Sequence, residues 1–105
     1  MKLFFASALA LLSFAVVGAD DSYKVEGTVG ALHVGQSGQN VRVALENAPT
    51  LCGNTWTMAY VGAKDEGFDA FFDALLAAKT GKLPVTLVTK KDAEGYCHLI
   101  YLILK

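Results

Sequence analysis

The chain has 105 residues, which is enough for one domain. Lys2 is the only charged residue before Asp20, so residues 20–105 contain eight basic and ten acidic residues, a net charge of about −2. A domain with this balance and no run of like charges cannot hold a nucleic-acid backbone or an anionic membrane surface by electrostatic attraction. The composition therefore excludes nucleic acid from the expected partners.

The first nineteen residues have the three parts of a secretory signal peptide. Lys2 supplies the positive start, residues 3–17 form an apolar run interrupted only by two serines, and small residues precede the acidic pair. We predict cleavage between Ala19 and Asp20, which leaves residues 20–105 as one exported domain, periplasmic or fully secreted. The alternative is an uncleaved membrane anchor, although the run is shorter than the ~20 residues of a spanning helix. After cleavage we expect no stable membrane insertion.

Three strands are predicted in the first half of the exported domain. Residues 23–34 alternate between apolar and polar side chains, as in a half-buried strand. The apolar parity changes shortly after Gly27 and Gly30, which predicts a β-bulge or a sharp bend there. Residues 41–45 follow a turn signal and form the hairpin partner of the first strand, and residues 55–61 alternate again as a third strand.

A helix follows the third strand. Apolar residues recur at helical spacing, so that one face carries Phe68, Phe71, Phe72, Leu75 and Leu76. Asp65 or Glu66 suits the positive N-terminal end of this helix, and Lys79 and Lys82 suit its C-terminal end. Gly81 is predicted as the C′ residue that stops this helix. We interpret the aromatic stripe as core, with a partner-binding face as the alternative.

Two more strands complete the domain. Residues 85–89 follow Pro84, and residues 96–104 form a last strand that is apolar on both parities. Such a strand is either central in the sheet or covered by another subunit. The predicted order of three strands, one helix and two strands is that of an OB-fold. We therefore predict a mainly β, α+β domain: a five-stranded OB-fold-like barrel with one helix between strands 3 and 4.

The two cysteines, Cys52 and Cys97, both lie in the exported domain. An even pair in an oxidising compartment predicts a disulfide, which here closes a loop of about 45 residues. Such a loop stabilises the fold by about 4 kcal/mol in the chain-entropy description. A reactive or metal-binding thiol pair is the competing interpretation, but the sequence has no CxxC and no histidine at ligand spacing on both sides.

The stretch Leu32-His33-Val34-Gly35-Gln36 resembles the end of the first strand in the B subunit of subtilase cytotoxin and its relatives. Residues 71–88, with Leu75-Leu76, Thr80-Gly81-Lys82 and Val85, resemble the same family's helix-to-strand segment. The resemblance implies an OB-fold subunit that assembles as a ring of five, binds cell-surface glycans and, in the toxins, carries a separate catalytic subunit. The family's glycan-contacting serine falls on Val25 here, and Ser22 lies three residues earlier.

No catalytic, metal-binding or cofactor pattern is present. His33 and His98 lie in predicted strands outside any metal motif, and Ser22 and Ser37, the serines left after signal removal, lack the context of a nucleophile elbow. Glycan binding needs an aromatic platform beside hydrogen-bonding groups, and several Tyr and Trp residues are available. Ser22, Tyr23 and Tyr96 are our candidate ligand-binding residues.

These observations predict a non-catalytic exported binding module of the toxin B-subunit type, which recognises a cell-surface glycan or a protein as a ring oligomer. The alternative, from a different class, is a monomeric periplasmic inhibitor or envelope accessory protein that docks on one protein partner. No cofactor and no catalytic residue are expected in either.

Overall fold

The computed structural model describes residues 22–105. The predicted signal peptide, residues 1–19, and the Ala19–Asp20 cleavage site lie outside the described residues. The described part contains six strands and one helix. In chain order they are β1 (Tyr23–Gly27), β2 (Val29–Val34), β3 (Val41–Leu45), β4 (Ala59–Val61), α1 (Phe68–Gly81), β5 (Val85–Lys91) and β6 (Cys97–Leu104).

All six strands belong to one sheet, in the order β1-β5-β6-β4-β3-β2. Neighbouring strands run antiparallel except β4 and β6, which are parallel. The two outermost strands, β1 and β2, are consecutive in the chain and are separated only by Thr28. Because one residue joins the two ends of the sheet, the sheet curls into a half-barrel.

The first predicted strand is divided in two. Residues 23–34 form β1 and β2, which pair with β5 and β3 respectively, so the count of five strands is wrong and α1 follows the fourth strand. The predicted bulge is confirmed, because the β2–β3 register shifts between Val29 and Ala31. A Cβ atom on Gly30 would lie 3.0 Å from the backbone nitrogen of Glu46, so a side chain here would press against the backbone of the neighbouring strand.

The third predicted strand is shorter than its alternation indicated. Only Ala59–Val61 pairs as β4, and residues 51–58 form a loop. Turn hydrogen bonds close this loop: the Leu51 N–H donates to the Trp56 carbonyl at 2.7 Å, and the Thr55 N–H donates to the Cys52 carbonyl at 3.2 Å. These backbone groups are therefore satisfied within the loop and are not available for a ladder.

The helix packs its stripe against the inside of the sheet. Leu75 and Ala78 are fully buried, and the phenylalanines of the stripe pack at the margin of the core, but Leu76 is 42% exposed. Gly81 is the last residue of α1, so its prediction as the C′ residue that follows the helix is wrong. The left-handed residue is Lys82, with φ 53°, whose N–H still bonds to the carbonyls of the last turn.

A disulfide joins the loop after β3 to the start of β6. Cys52 and Cys97 are both buried, with Cα atoms 5.9 Å apart, so the predicted bond is confirmed. Thr89 of β5, the buried polar residue of this region, donates its hydroxyl to the carbonyl of Leu51. The loop that contains Cys52 is therefore attached to the sheet at two points. Among residues 22–105, no helix has the length and apolarity that crossing a membrane requires.

Candidate functional site

A row of polar and aromatic side chains crosses the outer face of the sheet. In β3, β4 and β6 the flanking residues are buried, and side chains alternate along a strand, so the residues between them point outward. The strand register makes the members of this row direct neighbours across five strands. In order they are His33, Arg42, Tyr60, His98 and Lys90.

Tyr60 and His98 form the centre of the row. Their rings stack with centroids 4.6 Å apart and planes inclined by 16°. The Nε2 atom of His98 lies 2.7 Å from Oδ2 of Asp65, and the same oxygen accepts the Gly62 N–H at 2.8 Å. Partial burial raises the pKa of Asp65, but the hydrogen bonds from Gly62 and His98 outweigh it and hold this pKa below its usual value. The segment before α1 is thus tied to β6.

A second carboxylate holds the other side of Tyr60. The Tyr60 hydroxyl donates to Oδ2 of Asp92 at 2.6 Å, and Oδ1 of Asp92 accepts the N–H groups of Glu94 and Tyr96, both at 2.9 Å. Burial and the Asp92 carboxylate raise the pKa of Tyr60 well above its ordinary value, and the Tyr60 hydrogen bond lowers the pKa of Asp92. The phenol is therefore a permanent donor, and the loop between β5 and β6 is ordered around it.

An exposed aromatic pair lies beside the row, in a cleft that Arg42 and Tyr60 also line. Trp56 and Tyr96 are each 43% exposed, and their ring centroids are 5.5 Å apart with planes inclined by 42°. The indole N–H of Trp56 donates to the Gly95 carbonyl at 2.8 Å. Both residues lie beside the disulfide, since Cys52 belongs to the same loop as Trp56 and Cys97 follows Tyr96. The pair is therefore held in place before any ligand arrives.

Three adjoining clefts open around Tyr60, which lines all of them, with volumes of about 310, 550 and 400 Å³. We call them together the Tyr60 groove. Trp56 and Tyr96 line one end, and Gln39 and Arg42 contribute amide and guanidinium groups beside them. Within residues 22–105 the Arg42 guanidinium forms no hydrogen bond or ion pair, so its donors are available to a ligand.

The loop between β2 and β3 forms the opposite rim of the groove. Its ends are joined by the Gly35 N–H, which donates to the Asn40 carbonyl at 2.8 Å, and Asn40 Oδ1 accepts the Ala63 N–H at 2.8 Å. A Cβ atom on Gly62 would lie 2.6 Å from the Gly38 carbonyl oxygen. This close backbone approach requires glycine at position 62 and fixes the height of the rim.

The candidate ligand-binding residues lie in different surroundings. Tyr96 lines the Tyr60 groove, whereas Ser22 and Tyr23 do not. Tyr23 is a half-buried residue of β1 that packs against the core and against Gly53. Ligand contact by these three residues stays a prediction.

Sequence reasoning did not bring Trp56, Arg42 and Tyr60 together with Tyr96. Trp56 and Tyr60 were visible as aromatic residues with polar groups, but Trp56 was assigned to a strand. Their proximity depends on the pairing of β4 with β6, two strands that α1 and β5 separate in the chain. The Cys52–Cys97 pairing was the one signal that could have linked the two aromatic segments.

The arrangement offers binding groups more than reactive ones. His98 Nε2 is engaged by Asp65, and Cys52 and Cys97 are oxidised. In the part of the chain that the structure describes, no three or more His, Cys, Asp or Glu side chains cluster in a way that could hold a metal ion.

The two carboxylate contacts predict an acid-sensitive fold. The pKa values of Asp65 and Asp92 are lower in the folded than in the unfolded chain, whose reference value is 3.8. Their stabilisation is therefore complete above about pH 4 and is lost as the pH falls through the folded values. We expect the urea midpoint of the natural protein to fall more steeply below pH 4 than that of Asp92→Asn. Glu46→Gln, at an exposed carboxylate outside these contacts, should keep the natural pH dependence; equal curves for Asp92→Asn and the natural protein would contradict the assignment.

Comparison with known proteins gives no match to a protein-family model, a curated protein or a solved structure. The site must therefore be interpreted from its own chemistry.

Proposed function

We propose that the exported chain is a non-catalytic binding module that recognises a glycan in the Tyr60 groove. The observation that carries the proposal is the exposed Trp56–Tyr96 pair beside Gln39 and the Arg42 guanidinium, which has no partner among residues 22–105. The apolar face of a sugar ring stacks on aromatic side chains, and its hydroxyls bond to amide and guanidinium groups. A rigid aromatic pair loses little conformational entropy when a ligand binds.

We propose further that the domain is an OB-fold-like barrel, and the strand order supports this. If β1 and β2 are counted as one bent strand, the chain has five strands with the helix between the third and the fourth. The bent strand then pairs with the second strand at one end and the fourth at the other. In OB-folds the face of strands two and three, with its flanking loops, binds oligosaccharides and oligonucleotides. The Tyr60 groove lies on that face here, and the charge balance favours a sugar ligand.

The non-catalytic part of the proposal is supported by how the ionisable groups of the groove are used. Asp65 is engaged by His98 and Gly62, and Asp92 is engaged by Tyr60 and its own loop. Within residues 22–105, no hydroxyl or thiol bonds to His98, so it has no nucleophile to activate. These groups fix the walls of the groove.

The predicted signal peptide and the disulfide support a periplasmic or secreted location, and the resemblance to toxin B subunits supports a ring of five. A ring would present several copies of the groove on one side, and multivalent attachment raises avidity without any new contact.

A glycan array tests the proposal. The oxidised, mature protein is expected to bind a subset of glycans, and Trp56→Ala should reduce the signal by tenfold or more because it removes the platform. Leu83→Ala, which truncates another exposed apolar side chain away from the groove, should bind normally. Ser22→Ala on the same array tests whether Ser22 contacts the ligand. An array without signal for the natural protein would end the glycan proposal.

The second candidate, a monomeric inhibitor or accessory protein that docks on one partner, is favoured by the same groove residues. Trp, Tyr and Arg dominate the binding energy of protein interfaces, and all three lie together here. A pull-down from periplasmic extract that recovers one stoichiometric protein with the natural chain, but not with Trp56→Ala, would support this candidate. Recovery that is insensitive to Trp56→Ala would contradict docking through the groove.

A further inference from the structure

The loop between β5 and β6 is organised by its first residue, Asp92. The Asp92 N–H donates to the Tyr96 carbonyl at 2.8 Å, and the Asp92 carbonyl accepts the Gly95 N–H at 3.0 Å. The side chain adds two more bonds, because Oδ1 accepts the N–H groups of Glu94 and Tyr96, both at 2.9 Å. An aspartate that bonds in this way to the backbone ahead of it stabilises a turn. The shape of the loop therefore depends on Asp92 more than on any other of its side chains.

The Asp92 carboxylate is held in one orientation from outside the loop. Its second oxygen, Oδ2, accepts the Tyr60 hydroxyl at 2.6 Å, so a residue of β4 fixes the side chain that shapes the loop. Both oxygens of the carboxylate thus accept hydrogen bonds within the protein. Hydrogen bonds to a charged acceptor are stronger than those to a neutral one. The turn is consequently fixed from the sheet as well as by its own backbone.

The same loop supplies the two contacts that orient the Trp56 ring. The indole N–H donates to the Gly95 carbonyl at 2.8 Å, and the ring centroid lies 5.5 Å from that of Tyr96. Within residues 22–105, the indole has no other hydrogen bond or ring contact. Gly95 has φ 90°, in the left-handed region that favours glycine, so the direction of its carbonyl depends on the conformation of this turn.

We propose that Asp92 is the positioning residue of the Trp56–Tyr96 pair: its carboxylate shapes the loop, and the loop directs the Gly95 carbonyl at the indole. Because both carboxylate oxygens already accept hydrogen bonds, Asp92 acts on a ligand through the aromatic pair. Side chains that are ordered before binding lose less conformational entropy when the ligand arrives. The effect on affinity rests on the proposed glycan site, whereas the positioning of Trp56 does not.

Solvent exchange of the Trp56 indole proton tests the proposal without any ligand. Trp56 is the only tryptophan of the chain, so its indole N–H gives one signal in an N–H correlation NMR spectrum of the oxidised, mature protein. The bond to Gly95 slows exchange, and Asp92→Ala should accelerate it about tenfold, because two N–H groups of the loop lose their acceptor. Asp92→Asn should restore a rate within about twofold of the natural one, since an amide oxygen still accepts both N–H groups.

Asp73→Ala is the matched control. It removes an exposed carboxylate of α1 that forms no hydrogen bond or ion pair among the described residues, and it should leave the indole exchange unchanged. Gly95→Ala is a second test that retains the Asp92 carboxylate. An added Cβ atom would meet no atom within 4 Å, so this substitution acts on the backbone conformation alone and should also accelerate exchange. Circular dichroism establishes that each variant is folded.

The glycan array supplies a second readout. Asp92→Ala should lower the signal of the bound glycans about tenfold, Asp92→Asn should recover most of it, and Asp73→Ala should bind like the natural protein. Unchanged indole exchange in a folded Asp92→Ala or Gly95→Ala variant would overturn the positioning role. Exchange in Asp92→Asn as fast as in Asp92→Ala would also overturn it. An array without signal, together with the expected exchange rates, would contradict the glycan site alone.

Discussion

Removal of the disulfide by Cys52→Ala with Cys97→Ala is expected to lower the free energy of unfolding by about 4 kcal/mol. The bond closes a loop of 45 residues that contains β4, α1 and β5, so without it the unfolded chain gains much conformational freedom. A domain of this size has a total stability of only ~5–10 kcal/mol. The loss is therefore expected to leave a substantial unfolded population at 37 °C. Urea unfolding of the variant and of the natural protein, followed by tryptophan fluorescence, measures the difference.

Reduction of the natural protein is the matched control for this prediction, because it breaks the bond without removing the buried sulfur atoms. Reduced protein and double variant should both be much less stable than the oxidised protein. Reduction should also weaken ligand binding, since the bond holds the Trp56 loop next to Tyr96. A reduced protein as stable as the oxidised one would contradict the prediction.

Leu75→Ala is expected to destabilise the fold by about 3 kcal/mol, the second largest effect. Leu75 is fully buried where α1 packs against the sheet, so its truncation removes apolar contacts and leaves a cavity that the strands cannot close. The next residue offers a matched control on the same helix. Leu76 is 42% exposed, and Leu76→Ala should change the free energy of unfolding by less than about 0.5 kcal/mol.

Urea unfolding at neutral pH measures both leucine variants, and their comparison removes the contribution of helix propensity, since the substitution is the same. Equal destabilisation by Leu75→Ala and Leu76→Ala would show that the helix packs through a different face. If Leu75→Ala shows no cooperative unfolding transition, its loss of stability has the expected direction and is larger than about 3 kcal/mol.

The elements of this fold were largely predictable because they depend on neighbours in the sequence. The helical spacing of Phe68, Phe71 and Leu75, the alternation of residues 41–45 and the glycine-marked bulge in the first strand all correspond to the structure. The errors occurred where local signals were weak or were overridden. Trp56 and Met58 alternate like strand residues but lie in a loop closed by its own hydrogen bonds.

The candidate site was not predictable in the same way, because its contacts join residues far apart in the chain. Tyr60 meets Asp92, His98 meets Asp65, and Trp56 meets Gly95, at separations of 32, 33 and 39 residues. Each contact depends on which strands are neighbours and in which register they pair. Alternation along one strand predicts which of its side chains share a face. It does not predict which strand lies beside it or in which register the two pair.

By itself the sequence determined the disulfide pairing, the helix and most strand positions. Only the tertiary structure decided that the first strand divides at Thr28 and that the β5–β6 register shifts between Val88 and Thr89. It also decided that aromatic side chains from two loops, Trp56 and Tyr96, share one groove. The reason is physical: hydrophobic period and turn chemistry act within a segment, whereas strand register and burial arise only when segments pack against one another.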